Sequence, residues 1–367
     1  MATPRTILKR YNGQRCPYVA CYQRPTRGQG LLACSGMASE QDSRSTDCGT
    51  RQNVIGAAAL RARPTPFNFE LLQALKPPST EGGRLVGILV PGRWDYWEVP
   101  LIEAVEQQLK QHDCRFSRAY TLGSPGLVVR EFQKLVSQEP KAILMVPPPS
   151  GYVSNSFQRG INKLDIPIIA IDQRFGEYPC VEPNHQLGSA GITKTLLDDR
   201  PSAVVLVFGN ERVQSSAGRV RGFNEAIQNH ARNNCRVERI EFGESPLVGG
   251  QFRGAQRLWK VVRNLSKLES VGFVVDCPSL AHEVFGTVEW LKGGWPERWQ
   301  LFHFDGLDES DLLTYRSMGR GPSRVGGCKV DRLEMAKAVS DLVLKAIERR
   351  SDLRGTKIQI NPTVKVA

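Results

Sequence analysis

The sequence has no apolar stretch near the roughly 18 to 20 residues that a bilayer-spanning helix takes. Its longest greasy runs, Leu85 to Val90 and Ala203 to Phe208, are only strand-length, which excludes a helical transmembrane protein. The positively charged start Met-Ala-Thr-Pro-Arg-Thr-Ile-Leu-Lys-Arg lacks the apolar core of a secretory signal behind it, so export is not expected and a cytoplasmic location is. Leu31-Leu32-Ala33-Cys34 has the outline of a lipoprotein cleavage box, but the polar, basic Tyr22 to Gly30 before it reads as coincidence. Histidine is scarce: five residues, His112, His185, His230, His282 and His303, leave few candidates for general-base chemistry. There is no Gly-x-Ser-x-Gly elbow, no phosphate loop, no His-Glu-x-x-His and no paired catalytic carboxylates, so an enzyme is not expected. The nine cysteines lack the Cys-x-x-Cys spacing of zinc sites; scattered thiols suit a reducing compartment, and neither metal nor cofactor is expected.

What is present is a soluble composition, 40% hydrophobic and 23% charged over 367 residues, long enough for two or three domains. The net charge of +12 is uneven. Residues 1 to 84 hold 12 Lys plus Arg against 5 Asp plus Glu, an excess of 7. A basic N-terminal arm is what phosphate neutralisation by a DNA-binding segment needs, although such tails are also often simply solvated.

From Arg84 onward, buried-looking strands alternate with amphipathic helices, the grammar of a parallel doubly wound sheet. Leu85 to Val90 reads as a strand and Val99 to Gln111 as a helix with Leu101, Ile102, Val105 and Leu109 on one face. A helix at Val128 to Ser137, a strand at Ala142 to Val146, a helix at Ser156 to Leu164 and a strand at Ile166 to Ile171 complete a first lobe. The pattern restarts at Gly188. Helices at Gly188 to Leu197, Arg219 to Ala231, Gln251 to Leu265 and Ala281 to Lys292 alternate with strands at Ala203 to Phe208, Val237 to Phe242, Ser270 to Val275 and Gln300 to Phe304. A long helix, Leu333 to Arg349, and an extended Lys357 to Val366 close the chain.

Residues 1 to 48 carry no sustained period of either kind, and Pro77 to Gly83 is a linker by composition. The expected organisation is therefore an irregular basic segment over 1–83, a first lobe of 84–180 plus 307–350, and a second lobe of 181–306 plus 351–367. The expected fold class is α/β, two Rossmann-like lobes, each a parallel sheet flanked by helices.

The order and spacing of these elements over 84 to 366 resemble the effector-binding core of lactose-repressor-family regulators and type I periplasmic sugar-binding proteins. Val86-Gly87-Ile88-Leu89-Val90-Pro91 resembles the family's first strand, and its Asn-Pro-Phe-Phe segment falls on Asp95-Tyr96-Trp97-Glu98. Sugars offer apolar C–H faces and a belt of hydroxyls, so the aromatic planes of Trp94, Tyr96 and Trp97 and the carboxylate of Asp95 are candidate contacts; core packing is the alternative for any one ring. Ile166 to Phe175 resembles the strand ending in Asp-Arg, with Asp172 in place, Gln173 where the Arg stands and Arg174 one position late. An Asp and Arg at a strand end can also be a plain ion pair. The stretch Arg219-Val220-Arg221-Gly222-Phe223 matches the family's Arg, two residues, Gly and aromatic, and Arg219 is expected in the cleft as a fork of donors. The family's Asn-Asp after a strand falls on Asp276 and Cys277, so only one polar group survives there, and Phe304-Asp305-Gly306 resembles its Phe-Asp at the return crossover, with Asp305 a candidate ligand to sugar hydroxyls; a turn-forming role is the alternative for Asp305. The resemblance implies three crossings between lobes, near Cys180 to Asn184, Asp305 to Asp308 and Ser351 to Thr356, with hinge closure on ligand as the signal.

Upstream, Thr50-Arg51-Gln52-Asn53-Val54-Ile55-Gly56-Ala57-Ala58-Ala59-Leu60 resembles the last helix of the family's DNA-binding headpiece, a remnant over 50–62. Asn68 and Leu75 sit where the minor-groove hinge helix lies. Thr50, Arg51, Asn68 and Leu75 are thus the candidate DNA contacts, while the preceding helix-turn-helix is not recognisable in residues 1 to 48. That abrupt change motivates the hypothesis of a wrong start or shifted frame before Thr50, which resequencing of an intact in-frame upstream region would sink. The expected function is a ligand-responsive regulator, dimeric, taking a sugar-like effector and a DNA operator and needing no membrane. The alternatives are a solute-binding receptor of a sugar transporter and a core that has lost effector binding.

Overall fold

The computed structural model describes residues 10–11, 14–15, 83–91, 98–121, 124–148, 154–230, 234–242, 250–305, 321–322, 324–349 and 353–366. Residues 1–55 form one unit, in which Arg10–Tyr11 and Gln14–Arg15 pair antiparallel. Residues 56–367 form the other, and it holds two six-stranded sheets.

The first sheet is built from β1 (Arg84–Val90), β2 (Cys114–Tyr120), β3 (Ala142–Met145), β4 (Ile168–Ile171), β5 (Cys180–Pro183) and β11 (Lys357–Ile360). Its order is β11-β5-β4-β3-β1-β2, all parallel. The second contains β6 (Ala203–Phe208), β7 (Arg236–Glu241), β8 (Val271–Val275), β9 (Trp299–Phe304), β10 (Arg324–Lys329) and β12 (Thr363–Val366). Its order is β12-β10-β9-β8-β6-β7, parallel except for the antiparallel β10/β12 edge. In both sheets the strand order reverses beside the first strand, so crevices open at the carboxyl ends, where parallel sheets bind ligands.

Near-continuous apolar strands are what burial on both faces demands. Alternation then sorts their side chains: Val86 and Ile88 join one core and Leu89 another, and Val204 and Leu206 part company with Val205 and Val207 in the same way. The helices α1 (Glu98–Lys110), α4 (His185–Leu197), α5 (Gln214–His230) and α8 (Arg332–Arg349) pack into the first of these cores. The opposite faces are covered by α2 (Pro125–Val136) and α3 (Asn155–Ile161) on the first sheet, and by α6 (Gly250–Leu265) and α7 (Pro278–Lys292) on the second. Local chemistry sets the helix ends. The Ser154 hydroxyl accepts from the Phe157 N–H at the start of α3, Pro278 opens α7, and Gly293 closes it at φ +71°.

Three strands were not legible in the sequence: β2, β5 and β10. In Arg324-Val-Gly-Gly-Cys-Lys329 the paired glycines carry no strand signal, yet the segment is a strand in which a Cβ at Gly326 would lie 2.2 Å from the Phe302 ring. The strand needs glycine there because the neighbouring strand's aromatic fills the space. This strand changes the lobe boundaries: part of 307–350, assigned to the first lobe from sequence, pairs into the second sheet, and β11, assigned to the second lobe, pairs into the first. The chain passes between sheets at Asn184, at Val330 to Asp331 and at Asn361 to Pro362, so the second and third passages lie further along than expected. Two of them are tied together, Asn184 donating from Nδ2 to Asn361 Oδ1 at 3.1 Å.

Candidate interlobe ligand site

Asp172, Asp276 and Asp305 each follow the last residue of a parallel strand, β4, β8 and β9, so the sheets deliver three carboxylates at carboxyl ends. Asp172 and Asp305 adopt φ +71° and +75°. That left-handed backbone is uncommon outside glycine but accessible to Asp, and it turns the chain sharply off the strand.

Arg219 joins the three acids. It lies on α5 and is 8% exposed. Its Nη1 donates to Asp276 Oδ1 at 2.8 Å and to the Asp276 carbonyl at 2.5 Å, its Nη2 to Asp305 Oδ1 at 3.3 Å, and its Nε to His185 Nδ1 at 3.3 Å. The guanidinium carbon sits 3.9 Å from the centroid of the Phe304 ring, a cation–π arrangement. Asp276 is engaged further, its Oδ2 accepting from Ser216 Oγ at 2.5 Å and from the Gly209 N–H at 3.0 Å.

Packing explains how Arg219 is aimed. A Cβ on Gly222 would fall 2.1 Å from the Gln186 carbonyl oxygen, so only glycine lets α4 approach α5 this closely. The Arg-x-x-Gly-aromatic pattern thus has a physical meaning: Phe223 anchors the helix in the core, Gly222 admits α4, and Arg219 emerges beside the first residue of α4.

That residue is His185, which the sequence reading passed over. Asn184 caps α4, its Oδ1 accepting from the Leu187 N–H at 3.1 Å, and holds His185 against the strand ends. Since Nδ1 accepts from Arg219, the ring proton is on Nε2, which donates to the Asp172 carbonyl at 3.2 Å. Burial, followed by the Arg219 charge, pushes the imidazole down to about 3, so it is neutral near pH 7. Burial opposes the charge of Arg219, but Asp305, Asp276 and Asp172 outweigh it and hold the guanidinium well above its ordinary value. Burial likewise opposes ionisation of Asp276, and Arg219 with the hydrogen bonds from Ser216 and Gly209 outweighs it, leaving the carboxyl below the usual range.

The structure therefore brings Asp172, Arg219, Asp276 and Asp305 into one cluster. Gln173 and Arg174 have other partners. Gln173 is buried and donates from Nε2 to the Pro147 carbonyl at 2.5 Å, tying the ends of β3 and β4. The exposed side chain of Arg174 reaches Glu182 at 3.6 Å, and its N–H donates to Gln214 Oε1 at 3.0 Å, a bond from the first lobe to α5. Glu182 also pairs with Lys357 at 2.9 Å and accepts from Gln359 at 3.0 Å, binding β5 to β11 next to the passages between sheets. Trp94, Asp95, Tyr96 and Trp97 lie outside the described residues, as do Thr50, Arg51, Asn68 and Leu75. Ser216, three residues before Arg219, was not singled out from the sequence; its partner is 60 positions away, which no local signal reveals. His303 is fully buried on β9. Among the described residues no group of acids, cysteines and histidines could hold a metal, and no helix is long and apolar enough to cross a membrane.

No family model and no curated protein matches the chain. Solved structures do. The Cra transcriptional dual regulator from Pseudomonas putida, in complex with fructose 1-phosphate, aligns at TM-score 0.64 and 20% identity, covering 77% of this chain and 98% of its own. A LacI-family transcriptional regulator from Enterococcus faecium with bound ribose aligns at TM-score 0.59 and 14% identity over 77% and 97%. A periplasmic binding protein/LacI transcriptional regulator from Alkaliphilus metalliredigens, complexed with D-xylulofuranose, gives 0.60 and 12% over 77% and 97%. Two predominantly parallel sheets flanked by helices, joined by three passages of the chain, give this protein the type I periplasmic-binding-protein-like fold of the LacI-family transcriptional regulators.

Proposed function

We propose that the protein is a ligand-responsive transcriptional regulator, not an enzyme, whose two lobes close on a sugar or related small polar metabolite. The observation that carries this reading is the convergence of Asp172 from the first sheet with Arg219, Asp276 and Asp305 from the second, at the carboxyl ends of strands. Oriented carboxylates and a guanidinium are acceptors and donors for a belt of hydroxyls, and a ligand touching both lobes is bound fully only when they are together. The neighbours with fructose 1-phosphate, ribose and D-xylulofuranose support the same chemistry. The DNA-contacting part of the proposal rests on the headpiece-like Thr50 to Leu60 and the basic N-terminal residues. A cytoplasmic location and a homodimer belong to the same reading.

The test is a thermal-shift screen against monosaccharides, polyols, sugar acids and purines, repeated with Asp305→Ala. A ligand at about a hundredfold its Kd stabilises a fold by roughly 2.7 kcal/mol, and the substitution is expected to abolish that shift. A panel without any shift, or a shift untouched by Asp305→Ala, would show that this cluster is not the effector site.

A further inference from the structure

The chain leaves the first sheet at Asn184, so His185 opens α4, a helix that packs on the second sheet, yet its ring turns back towards the first lobe. Nε2 donates to the carbonyl of Asp172, at the end of β4, at 3.2 Å, while Nδ1 accepts from Nε of Arg219, on α5, at 3.3 Å. A guanidinium can only donate, so it fixes which ring nitrogen carries the proton, and that proton is directed at the other lobe. The Phe304 ring lies against the imidazole, with 5.3 Å between centroids, and also under the Arg219 guanidinium. A second bond joins the same two regions: the Arg174 N–H, two residues after Asp172, donates to Gln214 Oε1 at the start of α5 at 3.0 Å.

Packing fixes one side of this ring and leaves the other to the hinge. Gly218 and Gly222 lie one turn apart on α5, and a Cβ on them would fall 2.9 Å from the His185 Cβ and 2.1 Å from the Gln186 carbonyl oxygen. The first two residues of α4 therefore rest directly on the α5 backbone beside Arg219, and His185 and Arg219 move as one piece with the second lobe. Asp172 belongs to the other body. A rotation that separates the lobes carries the ring away from the Asp172 carbonyl while its bond from Arg219 stays intact.

We infer that His185 is a positioning residue of the proposed effector site, one that links the approach of the first lobe to the guanidinium of Arg219. When the lobes part, a buried Nε2–H loses its acceptor, and a buried donor left unmade is costly. Closing restores the bond, which biases the hinge towards the closed arrangement and pins the imidazole from both sides. Arg219 is then held through Nε by a ring that cannot turn, with its other donors on Asp276 and Asp305. What the cluster holds rests on the proposed function above; the link between the lobes rests on hydrogen-bond geometry.

The test needs no effector. Hydrogen exchange is followed by mass spectrometry on the full chain in the parent protein, His185→Asn and His185→Gln. The short Asn side chain keeps an acceptor near the position of Nδ1 and loses the reach to Asp172, whereas the longer Gln side chain places an N–H donor near the position of Nε2. The Arg174 amide reports on the approach of the lobes, because its bond crosses to Gln214, and the amides of β1 and β6 report on each lobe's own sheet. In His185→Asn the peptide carrying the Arg174 amide is expected to exchange about fivefold faster or more, and in His185→Gln to stay within about twofold of the parent, below the usual range of coupling between sites. The β1 and β6 amides are expected to be unchanged in both. Exchange at Arg174 as fast in His185→Gln as in His185→Asn, no acceleration in either, or acceleration that spreads to β1 and β6 overturns the link and leaves His185 a packing residue. Each of those results leaves the effector-site reading standing, since that reading falls with the ligand screen alone.

Discussion

Replacing Arg219 with methionine keeps most of the side chain's length and deletes the charge that Asp276 and Asp305 share. At an effective dielectric near 20, unit charges separated by the 2.8 Å seen to Asp276 attract by about 6 kcal/mol, and at the 3.3 Å seen to Asp305 by about 5 kcal/mol. Desolvation of the buried groups cancels much of that gross attraction. What remains after one partner is removed is the exposed cost of the other, typically about 3 to 5 kcal/mol. Asp276 keeps its bonds from Ser216 and Gly209, which places the expected loss near the low end, about 3 kcal/mol. For a lobe-sized cooperative unit this corresponds to a fall in Tm of roughly 6 to 12 °C. Urea unfolding followed by tryptophan fluorescence measures it directly. Asp276→Asn introduced into the Arg219→Met background is expected to recover much of the loss, because the buried carboxylate is then neutral. If Arg219→Met melts within about one degree of the parent protein, the guanidinium does not hold the cluster and the site geometry described above is wrong.

Two further outcomes follow from the same packing. His185 is held near 3 in the folded protein against about 6.5 when unfolded, so the unfolded chain binds the extra proton between those values. Stability is therefore complete above about pH 6.5 and declines as pH falls towards 3, by up to about 1.4 kcal/mol per pH unit for this group. His282 is also lowered by burial and contributes with the same sign. Comparison of urea midpoints at several pH values in the parent and in His185→Gln isolates the His185 contribution; an unchanged slope in the variant would disprove it. Gly222→Ala places a methyl group 2.1 Å from the Gln186 carbonyl, which forces α4 and α5 apart at a cost of about 1 to 3 kcal/mol. It is also expected to weaken any effector, since α4 carries His185 and α5 carries Arg219; a variant that is as stable as the parent would contradict the close approach of the two helices.

Much of the architecture was determined by the sequence itself. Apolar runs such as Ala142 to Met145, Ala203 to Phe208 and Val271 to Val275, each followed by a helical period, specify buried parallel strands and covering helices because no other arrangement hides both faces. The strand-end carboxylates and Arg219 were singled out through the resemblance to lactose-repressor-family cores, since local pattern places them at strand ends and on a helix but gives them no role. Tertiary structure alone decided the rest. β10 is a strand through its pairing with β9 and β12, and it takes glycine at 326 because Phe302 of β9 occupies the space there, a contact no propensity encodes. His185 enters the site because α4 crosses α5 at a glycine, bringing together residues 34 positions apart. The carboxylates that hold Arg219 in place come from positions 57 and 86 residues away. Sequence periodicity sets which face of an element is buried; which neighbour arrives at that face is fixed only when the long-range packing closes.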